Sequence, residues 1–215
     1  KPMPYAPDDD LAEAGGWIAV DASTPAQSPS REMSWDVYGD AVEQLSVDGL
    51  RGHVFKLADY PNGFSLLLDM EYIRLVFPRL QLSGVAGATI DLGYTEHLWR
   101  DNMHLRLQHN YVATDRLLCS RDTIDWLCPH PRGFRYLMVT VRNAASDVVL
   151  KDIALRSAGY PVKHTGSFKC SDKLLTAVWE MGALTQETNM EDAYVDCVGR
   201  ERGMYIRDTI IQYHV

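Results

Sequence analysis

Thirteen residues close to the end of the chain could do acid–base chemistry. The stretch Asp196-Cys197-Val198-Gly199-Arg200-Glu201-Arg202-Gly203-Met204-Tyr205-Ile206-Arg207-Asp208 holds three carboxylates, three arginines and a tyrosine. A carboxyl group serves as a general acid when burial or a neighbouring carboxylate raises its pKa. Arginines beside it, or a helix N-terminus beneath it, push the other way. Arg200 and Arg202 flank Glu201, whereas Asp196 and Asp208 bring like charge towards it. The two influences compete, and the spacing alone does not decide between them.

Geometry sharpens the reading. A helix is predicted to start near Arg200 and to run to the end of the chain. On it, Glu201 and Asp208 would lie within about 20° of one face and roughly 10 Å apart along the axis. Tyr205 would fall between them. Asp196 would reach in from the preceding loop, where Gly199 gives the backbone freedom to turn. The plain alternative is a solvated helix start laced with ion pairs. Cys197, Val198, Tyr205 and Ile206 are interleaved with the charges, which is not how a purely solvated face is composed.

The elements that must position this cluster come earlier. A helix is predicted from a Ser171 or Asp172 cap to about Met190, with Leu174, Leu175, Val178, Trp179 and residues 181–184 recurring at helical spacing. From His53 to about Pro161 the pattern is one of short strands. The segments 64–70, 79–82, 88–94, 134–142 and 148–155 are apolar or alternating, and turn residues at 83–87 and 143–147 separate them. Strands so spaced, without a long helical pattern between them, predict an antiparallel β-sandwich. The first 52 residues carry Pro2, Pro4, Pro7, Pro25 and Pro29 and a Ser-rich stretch, so they predict irregular structure. Trp17 and Trp35 suggest that this segment packs on the sandwich. The expected organisation is therefore 1–52 irregular, 53–165 β-sandwich and 166–215 helical.

Bulk composition narrows the function classes. The formal net charge of −8 repels nucleic acid phosphates and anionic lipid, so neither is an expected partner. A neutral carbohydrate is compatible with it. No apolar run approaches the ~18 residues of a membrane span. Residues 1–10 hold no apolar signal core, and Lys1 stands where an initiator Met would, so the natural start is expected upstream. The compartment stays open between cytoplasm, periplasm and secretion. Cys119, Cys128, Cys170 and Cys197 form no C-x-x-C pair and read mainly as buried thiols; a Cys119–Cys128 bridge would need neighbouring strands. Cys128-Pro129-His130-Pro131 lacks the second ligand pair of a zinc site and reads as a proline-fixed turn. His53, His104 and His109 have no recognisable nucleophile partner. Trp99 and Trp126 are expected in the core rather than as sugar platforms. No metal and no cofactor is expected.

Two sets of strings resemble a known family. Ser167-Phe168-Lys169-Cys170-Ser171-Asp172 with Leu174, Leu175 and Trp179 leads to Asp196-Cys197, Arg200-Glu201-Arg202-Gly203 and Asp208. Upstream stand Pro78-Arg79-Leu80-Gln81-Leu82-Ser83-Gly84, Asp91-Leu92-Gly93-Tyr94 with Glu96, Pro131-Arg132-Gly133-Phe134-Arg135-Tyr136-Leu137 and Tyr160-Pro161-Val162. Together they resemble the bacterial α-L-rhamnosidases, glycoside hydrolase family 78, over roughly residues 64–208.

The resemblance implies a β-sandwich followed by the first helices of an (α/α)6 barrel that begins near Ser167 and continues beyond Val215. It implies hydrolysis of terminal α-L-rhamnose with inversion. Glu201 would be the general acid. Asp196, Arg200 and Asp208 would hold the rhamnose hydroxyls, and the general base would lie in the remainder of the barrel, leaving this chain alone inactive. Inverting enzymes need that second carboxylate across the sugar, with room for a water. The chain has Val198-Gly199 where the family has Pro-Trp, Tyr205 where it has Trp and Arg207 where it has Gly. Tyr205 can still stack on a sugar face. Two further readings stand beside this one: a related barrel glycosidase for another sugar, and a non-catalytic carbohydrate-binding or structural module.

Overall fold

The computed structural model describes residues 51–98 and 114–214, Glu71 by its backbone alone, together with the backbones of three earlier strands. Trp35, Trp99, His104, His109 and the side chain of Trp17 lie outside the described residues.

The described strands are β1 (Asp8–Asp10), β2 (Gly16–Asp21), β3 (Ala41–Leu45), β4 (His53–Phe55), β5 (Phe64–Ser83), β6 (Thr89–Thr95), β7 (Thr114–Leu118), β8 (Thr123–Leu127), β9 (Arg132–Arg142) and β10 (Val148–Ser157). Two helices follow, α1 (Lys173–Thr188) and α2 (Ile206–Tyr213). All pairings among the described strands are antiparallel, with β5 at the centre. Its first part, Phe64 to Asp69, pairs with β2 on one edge and β9 on the other. Its last part pairs with β10 and β8. The ladder to β9 loses register between Asp69 and Arg74. It resumes over Arg74 to Val76, and from Arg79 onward β8 takes that edge of β5, so one long strand serves both layers of a β-sandwich.

Sequence alternation explains the core. Leu66, Leu68, Leu80 and Leu82 of β5, Ile90, Leu92 and Tyr94 of β6, Val139 and Val141 of β9, and Leu150 and Ile153 of β10 form one buried cluster. In β5, β6 and β9 these are every-second-residue positions, which a strand turns to one face; in β10 an irregularity between Leu150 and Asp152 inserts one extra residue before Ile153. Each such side chain stabilises the fold by roughly 1.5–3 kcal/mol when fully buried. Trp126 packs against this cluster. Phe55 stacks on Phe64 with centroids 3.9 Å apart, and Tyr60 meets both edge-on.

The opposite face of β6 and β9 is buried too, but polar. Asp91, only 1% exposed, is gripped by both arms of Arg116 and lies 3.1 Å from Nη1 of buried Arg142. Beside it, the Ser65 and Thr140 hydroxyls share a 2.8 Å hydrogen bond. A buried charge is tolerable when so paired.

Two sequence expectations need correction. The first 52 residues are not uniformly irregular, because β1, β2 and β3 lie within them and β2 adds directly to β5. Trp17-Ile18-Ala19-Val20 has strand character that the surrounding prolines obscured. Segments 64–70 and 79–82 are likewise not separate strands but the two ends of β5. Their intervening residues Tyr72, Ile73, Leu75, Val76 and Phe77 are also good strand formers.

Candidate active site

The loop between the two helices seats the helical part against the strands. α1 starts as expected: Asp172 is its N-cap, accepting a 2.8 Å bond from the Leu174 amide. It ends at Thr188, capped by Asn189. The chain then crosses residues 189–205 before α2 begins at Ile206. Val195 and Val198 from this loop pack with Leu75 and Ala158, and Ile73 and Phe77 line the same cluster.

The predicted helix start near Arg200 is wrong. Residues 198–201 form a turn, and α2 starts five residues after Glu201. The turn wins because Asp196 and Gly203 bond to each other across it. The Asp196 amide donates to the Gly203 carbonyl at 3.0 Å, and the Gly203 amide donates back to Asp196 Oδ1 at 2.8 Å. The Cys197 thiol donates to Asp196 Oδ2 at 3.3 Å. Burial pushes the Asp196 pKa up, but the Gly203 amide and the Cys197 thiol outweigh it and hold the carboxyl below its ordinary value.

The base of this loop is seated against the strands. A Cβ on Gly133, the second residue of β9, would lie 2.3 Å from the Val198 carbonyl oxygen. One on Gly199 would lie 2.3 Å from Glu96 Oε1. Glu96 thus occupies space that a side chain at position 199 would need. Arg202, at φ 50°, turns inward to grip Glu191 and reaches the Pro131 carbonyl with Nη1 at 3.1 Å.

The top of the loop is open. Glu201 is exposed, paired through Oε1 with Nη2 of Arg200 and accepting at Oε2 a 2.6 Å bond from the Tyr205 hydroxyl. That bond and the Glu201 charge push the Tyr205 phenol above its ordinary pKa. The structure therefore brings Glu201, Arg200 and Tyr205 into contact, with Asp196 at the base of the same loop. Asp208 sits exposed in the first turn of α2. Among the described residues no hydrogen bond or ion pair joins it to this group. The expected shared helix face of Glu201 and Asp208 does not exist, since the helix that would align them starts at Ile206. Sequence reasoning missed Glu191 and the Pro131 carbonyl. Only Pro131 lay in a string already singled out, and nothing in the spacing joined either to Arg202. The four cysteines are free thiols; Cys119 and Cys128 are buried, Cys170 is exposed and Cys197 is part-buried.

Against this geometry, the family profile of the bacterial alpha-L-rhamnosidase 6 hairpin glycosidase domain matches residues 163–214. The GH78 family rhamnosidase of Bacillus sp. GL1 is 35% identical over 70% of this chain, with a TM-score of 0.64. The chain is a relative of the GH78 rhamnosidases. The alignment covers only 16% of that Bacillus enzyme. A rhamnosidase from Klebsiella oxytoca, solved with rhamnose bound, shares the fold at TM-score 0.66 over 94% of this chain and 41% of its own, at 15% identity. The Streptomyces avermitilis alpha-L-rhamnosidase, complexed with L-rhamnose, superposes at TM-score 0.53 over 75% of this chain and 16% of its own, at 21% identity. This chain thus spans less than half the length of each of these GH78 and rhamnosidase relatives. Among curated proteins, none matches the chain.

Proposed function

We propose that this chain is the β-sandwich and opening portion of the six-hairpin barrel of an inverting α-L-rhamnosidase, with Glu201 as its general acid. The observation that carries the reading is the loop itself. It is bonded shut at Asp196–Gly203 and seated on the strands, yet it presents Glu201 outward between a cation and a phenol. Asp196, Arg200, Tyr205 and Asp208 are proposed to bind the sugar. The general base is proposed to come from sequence beyond Val215. The exposed apolar side chains of the two helices support that proposal: Leu174, Val178 and Met181 on α1, and Ile206, Ile210 and Ile211 on α2, are all at least half exposed. Side chains of this kind mark an interface when they recur on one element.

In this reading Glu201, when protonated, donates to the departing glycosidic oxygen. Both its oxygens are engaged by Arg200 and Tyr205. With Oε2 protonated, the Tyr205 hydroxyl still donates to the remaining lone pair of that oxygen and holds the acid in place, while Arg200 keeps hold of Oε1. The test is Glu201→Gln in the full gene product, assayed on a rhamnoside whose aglycone is a poor leaving group. General acid catalysis is typically worth 10²–10⁴-fold. A loss of that order, with the fold retained, is expected; activity within about tenfold of the parent would sink the assignment.

A further inference from the structure

Arg202 does not face the candidate active site, although it is the immediate neighbour of Glu201. Its Nε donates to Glu191 Oε1 at 3.1 Å and its Nη2 to Glu191 Oε2 at 2.5 Å. This is the two-pronged geometry in which guanidinium and carboxylate bind most firmly. Its remaining arm, Nη1, donates to the backbone carbonyl of Pro131 at 3.1 Å. The two side chains are 26% and 13% exposed, so water screens the contact only in part.

Three features show that the clamp is anchored in something firm. Pro131 immediately precedes β9, whose first residue, Arg132, grips Asp115 of β7 at 2.6 and 3.2 Å. Tyr94 of β6 donates to the same Asp115 at 3.0 Å. Two residues past Pro131, Gly133 permits the Val198 carbonyl to approach closer than any Cβ would allow. The clamp also has a backbone signature. Arg202 is at φ 50°, in the left-handed region that residues other than glycine rarely adopt. That conformation costs free energy unless the surroundings fix it. It sends the Arg202 side chain down to the strands while Glu201 stays on the open side of the loop.

We infer that Arg202 is a positioning residue: through Glu191 and Pro131 it fixes the Glu201 loop to the start of β9, so that the β-sandwich sets where the acid stands. This rests on the reading of Glu201 as general acid. It makes the sandwich part of the catalytic apparatus rather than a neighbouring module. A misplacement of about 1 Å can cost on the order of 10²-fold in rate.

Leaving-group dependence tests it. Protonation of the aglycone matters for an alkyl rhamnoside and hardly at all for a 2,4-dinitrophenyl rhamnoside, whose leaving group departs as a stable anion. Arg202→Met, which keeps length but removes every donor, is compared with the parent on both substrates in the full gene product. A loss in kcat/KM of about 10²-fold on the alkyl rhamnoside, and under about fivefold on the dinitrophenyl one, is expected. Arg202→Lys should recover part of the loss. Equal losses on the two substrates, or none on either, would overturn the inference, because a general structural role does not distinguish leaving groups. Should Arg202→Met fail to fold, Glu191→Gln keeps the volume and gives the same reading. Glu201→Gln run in parallel separates the two claims. If it shows no leaving-group dependence, the acid assignment falls and this inference with it. If it does and Arg202→Met does not, only the clamp falls.

Discussion

The Tyr205 hydroxyl donates to Glu201 Oε2 across 2.6 Å, joining two residues four apart that share no helix. The contact is made by a turn folding back on the N-cap of α2. It gives position 205 a role other than the sugar stacking that its aromatic ring suggests.

Tyr205→Phe therefore separates ring from hydroxyl. Loss of the hydroxyl should lower kcat about five- to tenfold, with KM within about twofold. A rise in KM at unchanged kcat would instead mark Tyr205 as a sugar contact. The bond has a pH signature as well. The folded Tyr205 pKa is raised by Glu201. Its contribution is thus complete below the unfolded tyrosine value near ~10 and lost as pH rises through the higher folded value. Ultraviolet difference titration of wild type against Tyr205→Phe should show a late-titrating phenol.

Acid acts on the other end of the loop. Asp196 has its pKa lowered, so its hydrogen bonds contribute fully above the unfolded value near ~3.9 and are lost as pH falls through the lower folded value. Hydrogen exchange at the Gly203 amide, bonded to Asp196 Oδ1, should stay protected down to about pH 4 and lose protection below it. Asp196→Asn, which keeps an acceptor oxygen, should abolish that pH dependence. Unprotected exchange at neutral pH would contradict the closed loop.

The two seating glycines should respond unequally. Gly133→Ala puts a Cβ 2.3 Å from a backbone oxygen, whereas Gly199→Ala meets the tip of the Glu96 side chain. Backbone must shift in the first case, and a rotamer change suffices in the second. The first should cost about 1–3 kcal/mol and lower Tm by several degrees; the second should cost well under 1 kcal/mol, within the range of tolerated substitutions. Equal effects in a thermal melt would show that the loop is not seated against β9 as described.

Asp91 offers a test remote from the site. Asp91→Ala would leave Arg142, 2% exposed, without this carboxylate. Breaking a buried pair from one side typically costs about 3–5 kcal/mol. Urea unfolding should show a correspondingly lower midpoint. Loss of less than about 1 kcal/mol would mean that the pair is solvated.

Strand patterning made β6, β9 and β10 legible at residues 88–94, 134–142 and 148–155, because alternation and β-branched or aromatic content are set locally. The Asp172 cap of α1 was legible for the same reason. β2 was hidden because its partner, β5, lies some fifty residues away and no local signal announces the pairing. Glu201, Arg200 and Tyr205 were legible as a cluster but not in their geometry. Helix periodicity extends back through Arg200, while the Asp196–Gly203 bonds that stop it close a loop across seven residues and leave no periodic signal. Glu191 was illegible because its carboxylate matters only through Arg202, eleven residues on.

β5 has a consequence for how such a sandwich can be inherited or exchanged. Its first residues complete the ladder of β2 and β9, and its last residues complete that of β10 and β8. No boundary drawn through it yields two self-sufficient halves, since either piece would carry bare backbone donors and acceptors along its edges. The strands that seat the Glu201 loop and those behind them can therefore be transplanted only together, with all twenty residues of β5 as the shared seam.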